Sequence, residues 1–203
     1  MSPPEVTVYF DYACPYCLLA EEAIATTAAE RGATVSWRPF ELRPEPHPTL
    51  RPEDDYLPRV WRNSVYPMAE QLGVPITLPT VSPQPYTHLA FEGALYARAH
   101  GRAEPYHAAV LRAFFQHDRD IGRPDVLADI AAQVDLDADG FATALAERRY
   151  AEDHRAELAE AYAASVRAVP TVDVGPHRLE GVPSPEQLRQ ALTFRPTPDQ
   201  PIP

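Results

Sequence analysis

Lysine is absent from this chain, cysteine occurs only twice, and no apolar stretch is long enough to span a bilayer. All 18 basic residues are therefore arginines, and 29 acidic residues leave a formal net charge of −11. An acidic surface of this kind disfavours nucleic acid and anionic membranes as partners. We interpret the missing lysine as a composition bias of the source rather than as a functional device.

The amino terminus also lacks the features of a secretory signal. Residues 1–5 contain neither a basic start nor the beginning of an apolar core segment. We therefore expect a cytoplasmic protein. Because thiols are kept reduced in that compartment, a lone pair of cysteines is more typical there of catalysis or redox sensing than of a structural bridge.

Glycine is scarce, with 8 residues, whereas proline is abundant, with 24 that cluster in loops and near both ends. The length of 203 residues and a hydrophobic content of 45% suffice for one core that carries a large insertion. The first part of the chain has a β-α-β pattern. It predicts a strand over 5–10, a helix over 15–31 that stops at Gly32, and a second strand over 34–41. A right-handed crossover makes these two strands parallel.

A proline-rich break near residues 43–48 separates this pattern from a long helical block. The first predicted helix of the block is interrupted or kinked at Pro58 and Pro67, because proline disrupts helix interiors. An aromatic stripe is predicted to form the core of the block: Phe91, Tyr96, Tyr106, Phe114 and Phe115. The predicted helices of the block cover 54–72, 87–100, 104–117, 124–133, 138–147 and 151–167.

The strand pattern returns near the end of the chain. We predict strands over 169–174 and 177–180, joined by a turn, and a helix over 184–192 whose Ser-Pro-Glu-Gln start has the pattern of a capping box. Together the two halves predict an α/β fold: a four-stranded mixed sheet with a large all-helical insertion between β-α-β and β-β-α halves. The sheet domain is assigned to 1–50 and 166–203, including a proline-rich tail over 194–203, and the insertion domain to 51–165.

The two cysteines belong to the sequence Cys14-Pro15-Tyr16-Cys17, at the junction of the first strand and the first helix. Backbone N–H groups and the positive end of the helix dipole stabilise a thiolate at such a junction. We therefore expect Cys14 to attack from an exposed helix start and Cys17, one turn deeper, to resolve the mixed disulfide. Tyr12 and Tyr16 are predicted to flank the sulfur as an apolar docking surface.

A zinc site is a weaker interpretation of the same cysteines. Zinc takes four protein ligands in structural sites or three in catalytic ones. The chain has no second cysteine pair, and its seven histidines are scattered without ligand spacing. We therefore expect no metal. An inert bridge between Cys14 and Cys17 is also disfavoured by the strand-to-helix position.

Three motifs in this order resemble the DsbA-like branch of the thioredoxin superfamily, and within it the FrnE-type proteins. They are the cysteine motif at 14–17, the Trp-Arg-Pro-Phe-Glu-Leu-Arg-Pro segment at 37–44 and the Val-Pro-Thr segment at 169–171. The resemblance implies a thioredoxin-like sheet and thiol–disulfide oxidoreductase activity. It also implies a cis peptide between Val169 and Pro170 beside the cysteines, where these two residues contribute to binding a thiol substrate. We assign Pro15 to the same substrate-binding surface.

Two positions depart from that family pattern. Many thioredoxin-like proteins carry a buried carboxylate six residues before the first cysteine, where this chain has Val8. Asp11 lies nearby, but we assign it a turn or capping role. The dipeptide Pro15-Tyr16 is the one found in glutaredoxins, and a neutral tyrosine stabilises a thiolate less than a cationic histidine does. We therefore expect a reduction potential toward the glutaredoxin range of about −200 to −230 mV rather than near about −120 mV.

Two other functions stay open at this stage. The architecture is also similar to that of 2-hydroxychromene-2-carboxylate isomerases and kappa-class glutathione transferases, which implies a glutathione-dependent isomerase or transferase as the alternative. A non-catalytic thioredoxin-like binding module is the third. The expected partner is a protein or small-molecule thiol or disulfide, with glutathione as a possible co-substrate. The direction of electron flow and the oligomeric state are left open.

Overall fold

Strand β1 (Glu5–Phe10) lies inside a four-stranded sheet, because both of its edges are paired. In the computed structural model, which describes residues 3–193, the strand order is β2-β1-β3-β4. Strand β2 (Thr34–Pro39) runs parallel to β1, while β3 (Thr171–Val174) and β4 (His177–Glu180) are antiparallel neighbours. This arrangement confirms the predicted mixed sheet, its two halves and the helical insertion between them.

The alternation of β1 places its side chains on two different faces of the sheet. Val6 and Val8 pack against helices α1 (Pro15–Glu30) and α9 (Pro185–Thr193) on one face. Tyr9 packs on the other face, near Phe40 and the end of helix α8 (Ala151–Ala163). The sheet therefore has helices on both faces, as predicted.

The predicted capping box at the start of α9 is present. The Gln187 backbone N–H donates to Ser184 Oγ at 3.2 Å, and the Ser184 N–H donates to Gln187 Oε1 at 2.8 Å. Each bond satisfies a backbone donor that the first helical turn leaves unpaired. The proline-rich tail over 194–203 lies outside the described residues.

The helical block between β2 and β3 begins with a helix that is interrupted, as predicted. The interruption is a short segment in which the helical turn is wider than in an α-helix. Helices α2 (Tyr56–Val60) and α3 (Tyr66–Leu72) are joined by a π segment, Trp61–Val65. Pro67 cannot donate to the preceding turn, and the wider π turn accommodates its ring. Pro58 lies in the first turn of α2, where a missing N–H breaks no bond.

Four further helices complete the block before α8. They end within two residues of their predicted bounds: α4 (His88–Ala99), α5 (Ala103–Phe115), α6 (Pro124–Gln133) and α7 (Ala138–Ala146). No helix within residues 3–193 is both long enough and apolar enough to cross a membrane.

Three of the element ends that were predicted too far out have a physical reason in the structure. Helix α8 ends at Ala163 instead of 167, because Ser165 has φ 60° and Val166 N–H turns back to the Ala161 carbonyl at 3.1 Å. Strand β2 ends at Pro39 instead of 41, since its partner β1 ends at Phe10. Strand β3 begins at 171 instead of 169, because a proline at 170 has no N–H for the ladder.

One apolar core continues from the sheet into the helical block. Phe10, Cys14 and Cys17 belong to the same cluster of buried side chains as residues of the π segment and of helices α4 to α7. The predicted aromatic core of the block is confirmed, since all five of its side chains are buried. The division of the chain at residues 51 and 166 stays a prediction.

Helix α4 packs tightly against neighbouring side chains at Gly93. A Cβ atom there would collide with the Tyr106 ring and would lie 2.6 Å from Cζ of Phe141. We expect Gly93→Ala to lower the free energy of unfolding by about 2 kcal/mol, because a methyl group overpacks this contact. Urea denaturation measures the change. Adding Tyr106→Phe should recover part of the loss, and an unchanged midpoint in the single variant would contradict the packing.

Candidate active site

The two cysteines lie where β1 leads into α1. Cys14 is the N-cap residue, with extended backbone angles of φ −94° and ψ 114°, and Pro15 occupies the first turn without an N–H to leave unpaired. Cys17 lies one turn further along the helix. Both are reduced, and they come within 3.6 Å of each other. A disulfide between them therefore needs only a small movement of the sulfur atoms.

The cysteines are less accessible than the sequence led us to expect. Cys14 is 3% exposed and Cys17 is 1% exposed, so the prediction of an exposed Cys14 was wrong. The physical reason is tertiary: the loop before β3 folds over the helix start, and the Cys14 thiol donates a hydrogen bond to the Val169 carbonyl at 3.5 Å. A substrate would have to approach the sulfur past Pro15, Tyr16 and Val169, which are half-buried.

The loop before β3 has the predicted backbone. The peptide bond between Val169 and Pro170 is cis. The Thr171 hydroxyl donates to the Ala168 carbonyl at 2.8 Å, and the Gly181 N–H donates to the Pro170 carbonyl at 2.9 Å. These bonds hold the loop at the end of the sheet, so that any group attached to the Cys14 sulfur would lie beside the Val169 backbone.

Tyr16 is tied to the helical block. Its hydroxyl donates to Ser64 Oγ at 2.7 Å, and Ser64 belongs to the π segment. The hydroxyl is therefore directed at Ser64 rather than at the sulfur. Sequence reasoning did not identify Ser64, because a π turn has no signature beyond the nearby proline. Such turns are frequent at functional sites.

Tyr12 lies elsewhere than predicted. The side chain is fully buried, so it offers no docking surface beside the sulfur. Its ring packs 4.8 Å from Phe10 and 4.9 Å from Phe91, measured between ring centroids. Burial raises the pKa of its hydroxyl, which therefore stays protonated. The side chain lies inward because Tyr12, two residues after the end of β1, belongs to the same buried cluster as Phe10 and Phe91.

Asp11 has the predicted turn role and a second property that the sequence did not reveal. Its carboxylate accepts from the Ala13 N–H at 3.1 Å and from the Leu42 N–H at 2.7 Å. It is also buried, and this desolvation raises its pKa from 3.8 to about 6, although these two bonds and one from Thr87 act in the opposite direction. The chain thus has a buried carboxylate three residues after Val8, the position at which the family pattern has one.

Cys17 is held as a thiol. Burial raises the pKa of this thiol well above its ordinary value, and the hydrogen bond with Cys14 and the charge of Asp11 act in the same direction. Before Cys17 can act as a nucleophile, it must lose its proton to a nearby acceptor. Asp11 is close enough to interact electrostatically with it.

Two further polar side chains, one on β2 and one just after it, are paired with residues of helix α8. Arg38 on β2 forms an ion pair with Glu157 of α8 at 3.0 Å. Glu41, just after β2, is buried and bonded to His154 Nε2 at 2.7 Å. Within residues 3–193, no group of three or more His, Cys, Asp or Glu side chains is placed to hold a metal ion.

A thioredoxin-type sheet with a helical insertion and a cysteine pair at the first helix start defines the class of DsbA-like thiol oxidoreductase folds. The DSBA-like thioredoxin domain family matches residues 5–193, so this chain belongs to that family. A curated relative, the uncharacterized protein YwbO of Bacillus subtilis (strain 168), is 40% identical over 190 residues, covering 93% of this chain and 95% of its own length.

Solved structures of three proteins share the fold. A probable DsbA oxidoreductase from Streptomyces coelicolor has a TM-score of 0.77 at 24% identity, covering 98% of this chain and 94% of its own. A 2-hydroxychromene-2-carboxylate isomerase has a TM-score of 0.72 at 18% identity, covering 92% and 91%. The cytosolic disulfide reductase DsbM from Pseudomonas aeruginosa, with GSH, has a TM-score of 0.70 at 18% identity, covering 92% and 93%.

Proposed function

We propose that this protein is a thiol–disulfide oxidoreductase that exchanges electrons with thiol or disulfide substrates through Cys14 and Cys17. The observation that carries the proposal is the cysteine pair itself: two reduced thiols within 3.6 Å, with Cys14 at the N-cap of α1. Partial positive charge at a helix N-terminus stabilises a thiolate, which is the nucleophile in disulfide exchange.

The exchange proceeds in two balanced steps. The Cys14 thiolate attacks one sulfur of a substrate disulfide, forms a mixed disulfide and releases the other sulfur as a thiolate. Cys17 then loses its proton and attacks the Cys14 sulfur, which forms the Cys14–Cys17 disulfide and releases the second substrate sulfur. The substrate disulfide gains two electrons, and the enzyme dithiol loses two. Asp11 is the buried carboxylate available to accept the Cys17 proton.

We further propose that glutathione is a co-substrate and that the protein works in the cytoplasm. DsbM, which shares the fold, is described as a cytosolic disulfide reductase and has been solved with GSH. Two glutathione molecules would restore the dithiol by reducing the Cys14–Cys17 disulfide: they would supply the two electrons and leave joined as oxidised glutathione. The Val169 backbone beside the Cys14 sulfur is suited to align the peptide-like thiol during that step.

The reduction potential of the cysteine pair tests the proposal directly. We expect a value toward about −200 to −230 mV, because Tyr16 is neutral and its hydroxyl is engaged by Ser64. Equilibration with glutathione redox buffers, followed by thiol alkylation and mass analysis, gives the value. Tyr16→His should raise it by roughly 30 mV, equivalent to about 1.4 kcal/mol, whereas Tyr16→Phe should change it little.

One result would contradict the proposed function, and another would contradict only the expected potential. A cysteine pair that never forms a disulfide across the glutathione range would remove the redox function. A wild-type reduction potential of about −120 mV would show that the Pro15-Tyr16 dipeptide does not set the stability of the Cys14 thiolate.

A further inference from the structure

The sulfur of Cys14 is covered in the reduced protein, although disulfide exchange requires access to it. Cys14 is only 3% exposed and belongs to a cluster of buried side chains. The rate of thiol–disulfide exchange depends on access to the attacking sulfur. The exchange proposed above therefore requires that a group beside Cys14 moves before a substrate disulfide can reach it.

The backbone around the sulfur is held by several hydrogen bonds at once. The Cys14 N–H donates to the Asp11 carbonyl at 3.0 Å, and the Cys17 N–H donates to the Cys14 carbonyl at 3.1 Å. The loop that contains Val169 is held by the two hydrogen bonds described above and leads directly into the paired strand β3. A movement of either backbone segment would therefore break more than one bond.

The side chain of Tyr16 is held more weakly than the backbone. It lies in the first turn of α1, where it packs half-buried against the cluster that contains Cys14. Its outer end is held by one hydrogen bond, in which the hydroxyl donates to Ser64 Oγ at 2.7 Å. A rotation of this side chain breaks that bond and leaves the backbone of the site in place. Because one neutral hydrogen bond contributes little net free energy, Tyr16 is the group beside Cys14 that moves most easily.

Ser64 holds Tyr16 from the helical block. It belongs to the π segment, whose Trp61 and Val65 are buried in the same cluster as Cys14. The Tyr16–Ser64 bond therefore joins residues 48 positions apart and connects the first turn of α1 with the part of the helical block that packs on the cysteine cluster. π turns are frequent at functional sites, where they change the direction of individual side chains.

We propose that the hydrogen bond between Tyr16 and Ser64 is a latch that controls access to Cys14, and that Ser64 is a positioning residue of the redox site that acts through Tyr16. With the bond formed, the Tyr16 side chain restricts the approach to the sulfur. When the bond breaks, the side chain rotates away and a substrate disulfide reaches Cys14. This inference rests on the redox function proposed above and adds the step that precedes the attack.

The latch predicts that Cys14 reacts faster when either hydroxyl is removed. Tyr16→Phe and Ser64→Ala should each raise the rate of alkylation by N-ethylmaleimide about fivefold, because the loss of one neutral hydrogen bond changes the open fraction by about that factor. The double variant should react no faster than either single variant, since both substitutions remove the same bond. The reduction potential should stay that of the wild type, because the latch controls access and not the stability of the thiolate.

The experiment measures alkylation in the full chain carrying Cys17→Ser, which leaves Cys14 as the sole thiol. Mass spectrometry follows the reaction, and the rate is recorded as a function of pH for this parent and for each latch variant made in it. We expect the plateau rate at high pH to rise in the latch variants. The pH of half-maximal rate should stay that of the parent, which separates a change in access from a change in ionisation.

Two control variants exclude less specific effects. Tyr66→Phe removes a tyrosine hydroxyl from the residue that follows the π segment, where it accepts from the Leu78 N–H at 3.2 Å instead of contacting the cysteine motif. Its alkylation rate should equal that of the parent. Gly93→Ala destabilises the fold without removing the latch, so its rate should also be unchanged if Cys14 reacts in the folded protein. An acceleration in Gly93→Ala as large as in Ser64→Ala would show that Cys14 reacts only after unfolding, and would overturn the proposal.

Three other results would also overturn the latch. They are a parent rate as high as that of a thiol in an unfolded peptide, unchanged rates in both Tyr16→Phe and Ser64→Ala, and effects that add in the double variant. None of these results bears on whether the wild-type protein forms the Cys14–Cys17 disulfide. Conversely, rates that behave as expected in a protein whose wild-type form never becomes oxidised would support the latch and refute the redox function.

Discussion

Replacement of Cys14 by serine is expected to reduce disulfide exchange to the uncatalysed rate, since a serine hydroxyl stays protonated at neutral pH and cannot attack a disulfide. The fold should be retained, because the substitution is close to isosteric and a serine hydroxyl can also donate to the Val169 carbonyl. Reduction of insulin by the protein in the presence of glutathione measures the loss. Circular dichroism and thermal melting confirm that the variant is folded.

Replacement of Cys17 should have a different outcome, and the contrast separates the roles of the two thiols. Cys17→Ser keeps the attacking sulfur but removes the group that releases the substrate, so mixed disulfides with Cys14 should accumulate. Mass spectrometry without added reductant detects them. Full activity in both variants would refute the redox proposal. Glutathione-dependent turnover that needs Cys14 but not Cys17 would instead support an isomerase or transferase function.

The second large effect concerns the pH dependence of stability and Asp11. Its folded pKa of about 6 exceeds the reference value of 3.8. The folded state therefore binds the proton more tightly than the unfolded state. The resulting stabilisation is fully present below about pH 4 and is lost as the pH rises through about 6. A difference of this size corresponds to about 3 kcal/mol.

Asp11→Asn should remove that pH dependence, because the amide does not titrate. Relative to wild type, the variant should gain about 3 kcal/mol of unfolding free energy between pH 4 and pH 7. The amide nitrogen will face one of the two backbone donors, Ala13 or Leu42, so a constant loss at both pH values is expected as well. Urea denaturation at the two pH values measures both effects.

A matched substitution distinguishes burial from a general effect of charge. Asp54 is exposed, and Asp54→Asn removes the same charge from the surface. Its stability difference between pH 4 and pH 7 should match that of wild type. If Asp11→Asn also follows the wild-type curve, Asp11 titrates as an ordinary carboxylate and is not the buried proton acceptor for Cys17.

Local patterns in the chain were sufficient to predict the order of the strands and helices and the position of the cysteine pair between β1 and α1. The alternation of residues 5–10, the helix start at Pro15 and the capping box at Ser184 each depend on groups within a few residues of one another. The physical reason is that helix and strand periodicity, N-caps and proline effects act over one or two turns. Family resemblance added the cis peptide before Pro170, which the structure confirms.

The accessibility and electrostatics of the site were decided by contacts between distant parts of the chain. Cys14 is covered by Val169, which is 155 residues away, and Glu41 meets His154 across 113 residues. The burial of Asp11 and the partner of Tyr16 depend on such contacts too.

The sequence alone thus determined which residues are the candidates for thiol chemistry and in which elements they lie, because those properties are local. Only the tertiary structure decided that Cys14 is covered, that Asp11 is buried, and that Tyr12 packs against Phe10 in the core instead of beside the sulfur. Burial and desolvation are sums over every neighbour that packing brings close, and no short stretch of sequence contains those neighbours.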